Sequence, residues 1–155
     1  MTDGGDRAYY SPSQDKIHLP TPESFQNEYA FNATALHEEA HASGHPTRLN
    51  RPQSAFFGTD QYAYEELVAE MCSCFMGAEL KMEATLEHIE NHKAYVQSWI
   101  GTIREKPETL IKTIKEAQAA ANYMDYMSDL ISEKEYEKAC GAVMEVKQKN
   151  REMEQ

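Results

Sequence analysis

Residues 37–41 read His37-Glu38-Glu39-Ala40-His41, an H-E-x-x-H arrangement inside a segment of helical pattern. On a helix, residues four apart lie one above the other on a single face, so both imidazoles can reach one metal ion. The Glu that follows the first His is rotated by about a third of a turn. That direction suits a partner for a water on the ion rather than a ligand to it. The chemistry implied is metal-assisted hydrolysis with Glu38 as general base.

A catalytic zinc site needs a third protein ligand and an open position. A metzincin-type extension, H-E-x-x-H-x-x-G-x-x-H, would place a His at position 47. Gly44 fits that pattern, but position 47 is Thr. His45 comes two positions early, between a helix-ending Gly44 and Pro46, and is the poorer ligand. The following helical segment holds Glu65-Glu66-Leu67-Val68-Ala69-Glu70. Glu66 and Glu70 share a face at i,i+4. Glu66 is therefore expected to bind zinc as in gluzincins, with Glu70 accepting a hydrogen bond from the outward N–H of a liganding His. Glu65 is the alternative ligand, because spacing alone does not separate adjacent carboxylates. Tyr62, one turn before Glu66, is the candidate oxyanion donor. His88 and His92 form a second i,i+4 pair, for which a separate metal site is the alternative; with no Glu between them they read better as a surface pair, with His92 able to line the cleft. The expected cofactor is one Zn2+ per chain, which lowers the pKa of its water and polarises a substrate carbonyl.

These residues need rigid elements to hold them. Ala8-Tyr9-Tyr10 and Ile17-His18-Leu19 flank a Ser-Pro-Ser-Gln-Asp loop and predict two short strands, closed off by Pro20 and Pro22. Asn27 caps a helix to about Ser43, with Tyr29, Ala33, Leu36 and Ala40 at helical spacing and Gly44 as C-cap. After a polar loop holding Arg48 and Arg51, Thr59 or Asp60 opens a helix to about Leu80, with Leu67, Met71, Phe75 and Ala78 on one face. Further helices are expected over 84–104 and 107–130, the latter with Pro107 in its first turn. Ser132-Glu133-Lys134-Glu135 is a capping-box pattern that opens a last helix over 133–155. The fold class is α+β, predominantly α-helical, with an N-terminal hairpin or small sheet packed on the motif helix. The 155 residues fit one domain, with residues 1–7 expected to be disordered.

The formal net charge is −11, and the acidity sits before residue 133, where ten basic residues face twenty acidic ones. An acidic surface opposes phosphate binding, so no direct nucleic-acid binding is expected of this domain alone. No apolar run reaches membrane-spanning length, and the N-terminus lacks the regions of a secretory signal. Three Cys do not make a disulfide framework. They read as small buried residues in a reducing cytoplasm, and Cys72 and Cys74 point to different helix faces.

Several runs together carry a resemblance: Tyr10-Ser11-Pro12-Ser13, Leu36-His37-Glu38-Glu39-Ala40-His41, Gly44-His45-Pro46-Thr47-Arg48-Leu49, Phe57-Gly58-Thr59, Tyr62-Ala63, Glu65-Glu66-Leu67-Val68-Ala69-Glu70 and Tyr95-Val96-Gln97-Ser98-Trp99. Over about residues 8–125 the chain resembles the zincin-like metallopeptidase domain of ArdC-type antirestriction proteins and of conjugative-element primase-like proteins. The resemblance implies a zincin-like fold and a two-His, one-Glu site on a protein of a mobile genetic element. It also implies a peptide or protein substrate. In full-length relatives a domain that binds single-stranded DNA precedes this module. Glu39 stands where a Leu is usual and Ala42 where a Trp is usual, beside the metal face. The function expected is a zinc-dependent metallopeptidase. The alternative is a non-catalytic, zinc-stabilised antirestriction or protein-interaction module.

Overall fold

The structure is a computed structural model that describes residues 5–53 and 58–141, without the side chains of residues 95, 96, 98, 99 and 101–103. It opens with an antiparallel hairpin of β1 (Tyr9–Ser11) and β2 (Lys16–His18), in which Tyr10 pairs with Ile17. Asp15 takes the left-handed conformation at φ 48°, which Asp tolerates better than most residues, and this closes the turn. Ile17 and Leu19 are buried beneath the hairpin, which rests on α1 (Glu28–Ser43).

The Asn27 side chain accepts the Ala30 N–H at 2.8 Å and so fixes where α1 starts. After the loop, α2 (Asp60–Glu79) begins where the Thr59 hydroxyl accepts the Tyr62 N–H at 3.1 Å. α3 (Leu86–Glu105) and α4 (Pro107–Met127) follow, Pro107 occupying the first turn of α4. A short α5 covers residues 133–141. Its capping box is formed: Glu135 accepts the Ser132 N–H at 2.8 Å. The remainder of the helix expected over 133–155 lies outside the described residues, as do residues 1–4 of the expected disordered start and Phe57 of the family-like run.

The core joins α1, α2 and α4. Leu36 and Ala40 meet Val68, Ala69, Cys72 and Met76, and both meet Ala117, Ala120, Ala121 and Met124. The alanines of α4 recur at i, i+3 and i+4, so its backbone can approach α2 closely. In α2 Leu67 is buried as expected, but the rest of the buried stripe differs from the expected one. Val68, Cys72 and Met76 carry it, Met71 and Phe75 are only partly buried, and Ala78 is exposed. Small residues at Ala69, Cys72 and Gly77 let the helix turn a different edge to its neighbours than the large side chains alone suggest. Of the three cysteines expected to be buried, Cys72 is, whereas Cys74 is exposed and Cys140 half-buried. α3 buries none of its described side chains and leans on α4 from outside. Among the described residues no helix is long and apolar enough to cross a membrane.

The architecture is therefore α+β and mostly helical, with the hairpin against the motif helix as expected. What matters for the site is the α1–α2 pair. It lays the His37–His41 face of one helix against the Glu65–Glu70 turn of the next.

Candidate metal centre

His37 and His41 project from the same face of α1, with their Nε2 atoms 3.1 Å apart. Glu66, from α2, brings one carboxylate oxygen to 3.2 Å from His41 Nε2 and the other to 3.5 Å from His37 Nε2. Three ligands around a zinc ion, with bonds of about 2.0–2.1 Å at tetrahedral angles, would sit roughly 3.3–3.4 Å apart. The two Nε2 atoms are 3.1 Å apart and each has its own Glu66 oxygen at 3.2 or 3.5 Å, with one donor atom from each residue within 4.8 Å of the others, so these three residues could hold such an ion.

Each imidazole has a carboxylate on its other nitrogen. Glu70 lies 3.2 Å from His37 Nδ1, and Glu65 lies 3.4 Å from His41 Nδ1. Glu65 and Glu66 are thus separated by geometry: Glu66 faces both Nε2 atoms, whereas Glu65 faces away from them. Glu65 is only 5% exposed and takes a two-point bond from Arg51, Nε to Oε2 at 3.1 Å and Nη2 to Oε1 at 2.7 Å. Arg51 also donates to Ser43 Oγ at 2.9 Å and to the Ala40 carbonyl at 2.6 Å. Gly44 makes room for this plug, since a Cβ there would lie 2.9 Å from Arg51 Nη2 and 2.8 Å from Gln53 Nε2. Gln53 in turn bonds the His41 carbonyl and reaches Glu65 at 3.4 Å. His45 is engaged elsewhere, its Nδ1 lying 2.8 Å from Thr47 Oγ1.

The electrostatics follow from burial and these bonds. For His37, burial works against the charged imidazole, but bonds to Glu66 and Glu70 and the charge of Glu38 outweigh it, and its pKa rises to about 10. His41 is raised for the same reason by Glu65 and Glu66. Burial works against the Glu66 carboxylate, yet its bonds to His37 and His41 hold it well below the ordinary carboxylate range. Glu38 behaves oppositely. It is 8% exposed, and burial raises its pKa against the pull of His37 and His41. The backbone N–H of Tyr10 in β1 donates to it.

The hairpin is held in place over this site. The Tyr10 hydroxyl donates to Asp15 at 2.8 Å. Arg48 grips the same carboxylate with two nitrogens while its Nε donates to the Ala42 carbonyl at 2.7 Å, at the end of α1. A cleft of about 590 Å³ runs between hairpin and helices. Its walls include Arg7, Tyr9, Glu38, Tyr62 and Glu66. Tyr62 is half-buried there. Glu39 and Ala42, the departures from the family pattern, are not among the described residues that line the cleft.

Comparison with known proteins adds a family. A family profile described as zincin-like metallopeptidase matches residues 1–121. This chain belongs to that zincin-like metallopeptidase family. It is 37% identical over 148 residues to a DNA primase TraC of Escherichia coli, covering 92% of this chain and 14% of that protein. It is also 36% identical over 121 residues to the protein y4eC of Sinorhizobium fredii, covering 78% of this chain and 39% of the relative. Among solved structures, the antirestriction ArdC protein from the R388 plasmid is similar in its Mn(II)-bound form, with a TM-score of 0.66 at 37% identity over 78% of this chain and 44% of that one. Its metal-free form superposes with a TM-score of 0.68 at 34% identity, over 84% of this chain and 46% of that one. The zincin-like domain thus spans less than half the length of these relatives.

Within this zincin-like domain, reading the sequence missed Arg51 and Gln53 as supports of the His41 side. The signal available was weak: a second Arg a few residues beyond a motif helix, in a chain with few cations. The sequence read His92 as part of a surface pair that could also line the cleft, and His92 is not among the described residues that line it. The structure instead sets its Nδ1 against Glu70 Oε1, and Cys74 Sγ lies 4.0 Å from the same nitrogen.

Proposed function

We propose that this domain is a zinc-dependent peptidase module in which His37, His41 and Glu66 hold the ion and Glu38 is the general base. The observation that carries this reading is the triangle of two Nε2 atoms and a carboxylate on the wall of an open cleft, with a buried glutamate beside it. The nitrogen-rich donor set favours zinc over manganese, which imidazole sites bind weakly. A similar protein solved with Mn(II) supports a divalent ion in such a domain. The ion, when bound, would supply an activated water and polarise the scissile carbonyl.

The chain's own residues do the rest. Glu65 and Glu70 accept from the Nδ1–H groups, which fixes the tautomer that turns each Nε2 lone pair inward. Glu38 takes the proton from the attacking water and passes it to the leaving amine. Its raised pKa favours proton acceptance, and the Tyr10 N–H keeps its carboxylate in position. Tyr62 stands in the cleft as donor to the developing oxyanion. Strand β1 forms one wall, so an extended segment of a protein substrate can lie along it. The names of the relatives, a DNA primase and an antirestriction protein from a plasmid, support a role for a mobile element inside its host cell.

Purified protein should carry about one zinc per chain at the His37, His41 and Glu66 site, and elemental analysis of His37→Ala should show the loss of that one equivalent. Glu38→Gln should retain metal and fold but cut peptide libraries about 10²–10⁴-fold more slowly. Undiminished cleavage by Glu38→Gln would refute the assignment. The antirestriction relative gives weight to one other reading, a zinc-stabilised module that blocks a partner without cleaving it. Survival of a cellular antirestriction effect in Glu38→Gln would favour that reading.

A further inference from the structure

Beyond the first triangle, a second set of donors converges on the far side of His37. Glu70 and Cys74 stand four apart on α2, and His92 comes from α3. One ligand atom from each lies within 4.8 Å of the others. Among the described residues, only this group and the first triangle bring three such donors together. Cys74 Sγ is 4.0 Å from His92 Nδ1, and Glu70 Oε1 is in direct contact with that nitrogen. A cavity of about 180 Å³ adjoins them, lined by His37, Glu70, His92 and also His88. The His88 and His92 rings are 5.2 Å apart between centroids, so His88 is at hand as a fourth donor.

We propose that Glu70, Cys74 and His92 form a second transition-metal site. A hydrogen bond between His92 and Glu70 would end a simple relay from His37, but it gives no role to an exposed thiol set beside the same nitrogen. A thiolate, an imidazole and a carboxylate together are the donors that zinc and related borderline-soft ions select. At tetrahedral zinc an N···S edge is roughly 3.5 Å. The Cys74–His92 gap is close to that, and the Glu70–His92 contact opens to admit the ion. The cavity leaves space for His88 or a water to complete four-coordination.

Glu70 makes this second site more than a bystander. Its Oε2 lies 3.2 Å from His37 Nδ1 while its Oε1 faces His92, so one carboxylate links the two centres. An ion on Oε1 withdraws electron density from Glu70 and weakens it as acceptor for His37. Occupancy of the second site therefore lowers the affinity of the first, and the effect is reciprocal. This coupling rests on the reading of His37 as a ligand; the second site itself does not.

The test uses cadmium titration of the full chain, read by thiolate-to-cadmium charge-transfer absorption in the ultraviolet. Wild type should develop the band, and Cys74→Ser should abolish it. Cys72→Ser and Cys140→Ser should leave it intact. His92→Ala should require about tenfold more cadmium or greater, in line with the loss of a ligand. The band should persist in His37→Ala/His41→Ala, which separates this site from the first. Cys74 is exposed and α3 buries none of its described side chains, so the Cys74 and His92 variants should fold, as circular dichroism checks. A band missing from wild type, or surviving in Cys74→Ser, overturns the proposal.

Discussion

Arg51 offers the sharpest test of how the site is built, because it separates stability from metal affinity. Its side chain and that of Glu65 are 5% and 6% exposed, and the two form a two-point ion pair next to His41. Arg51→Met removes four hydrogen bonds and leaves the Glu65 carboxylate buried without its cation. Breaking one side of such a pair costs about 3–5 kcal/mol. A domain of this size has about 5–15 kcal/mol in all. Urea unfolding in the presence of chelator should therefore show a large fall in midpoint for the single variant.

The paired variant Arg51→Met/Glu65→Leu should behave differently. Replacing a buried ion pair by apolar side chains is often neutral or stabilising, so most of the lost stability should return. The metal should not return with it. His41 Nδ1 then faces no carboxylate, and loss of such a partner weakens metal binding about 10–100-fold. Competition against a chromophoric chelator measures this directly. A single variant that loses under about 1 kcal/mol would refute the buried-pair argument. A paired variant that binds zinc as tightly as wild type would refute the claim that Glu65 supports His41.

Three further outcomes are expected. Asp125 is 3% exposed and its pKa is raised to about 6 by burial and then by Glu79, so the folded state favours its protonated form. Its penalty is absent below about pH 4 and grows as pH rises through about 6, and Asp125→Asn should gain roughly 1–2 kcal/mol near neutral pH and nothing in acid, by urea midpoints. Arg48→Ala frees the hairpin from the end of α1; amide exchange at Tyr10 and Ile17 should quicken, and turnover should fall as Glu38 loses its steady Tyr10 partner, with little change in global stability. Zinc at about a hundred times its dissociation constant should add about 2.7 kcal/mol to stability, and binding should weaken as pH falls, because the metal-free His37, with its pKa raised to about 10, must release a proton to solvent when it takes the ion.

The parts of this molecule that could be read from the sequence are those set within one helix. His37 and His41 meet because i,i+4 residues on a helix must, and Glu66 and Glu70 share a face for the same reason. The helix starts were readable too, since Asn27 and Thr59 mark them by local chemistry. What the sequence left open depends on how one element rotates against another. Whether Glu65 or Glu66 faces the two Nε2 atoms is a difference of about 100° about the α2 axis, and the packing of α2 on α1 and α4 decides it. That same rotation keeps Leu67 buried but brings Val68, Cys72 and Met76 inward in place of Met71, Phe75 and Ala78. Arg51 as a support of Glu65 and His92 as a partner of Glu70 were further out of reach. One sits on an irregular loop whose path is set by Gly44 and Ser43, and the other on a helix that buries none of its described side chains.

The arrangement also explains how an acidic domain can be stable before it meets an ion. α2 presents Glu65, Glu66 and Glu70 within two turns, a cluster that would repel itself if unpaired. Arg51 neutralises the first directly. The other two face His37, His41 and His92, and the raised pKa values of His37 and His41 mean that protons already supply the opposing charge. An incoming divalent cation therefore exchanges with protons instead of entering an uncompensated anionic hole. This differs from small zinc-folded domains, which have no core to stand on without the metal. Here the packed faces of α1, α2 and α4 carry the core, and on the proposed reading an ion at the cleft would exchange without taking that core apart. On this logic the carboxylates of α2 are tuned to hold imidazoles in place in either state, and metal occupancy becomes a function of pH and supply more than of folding.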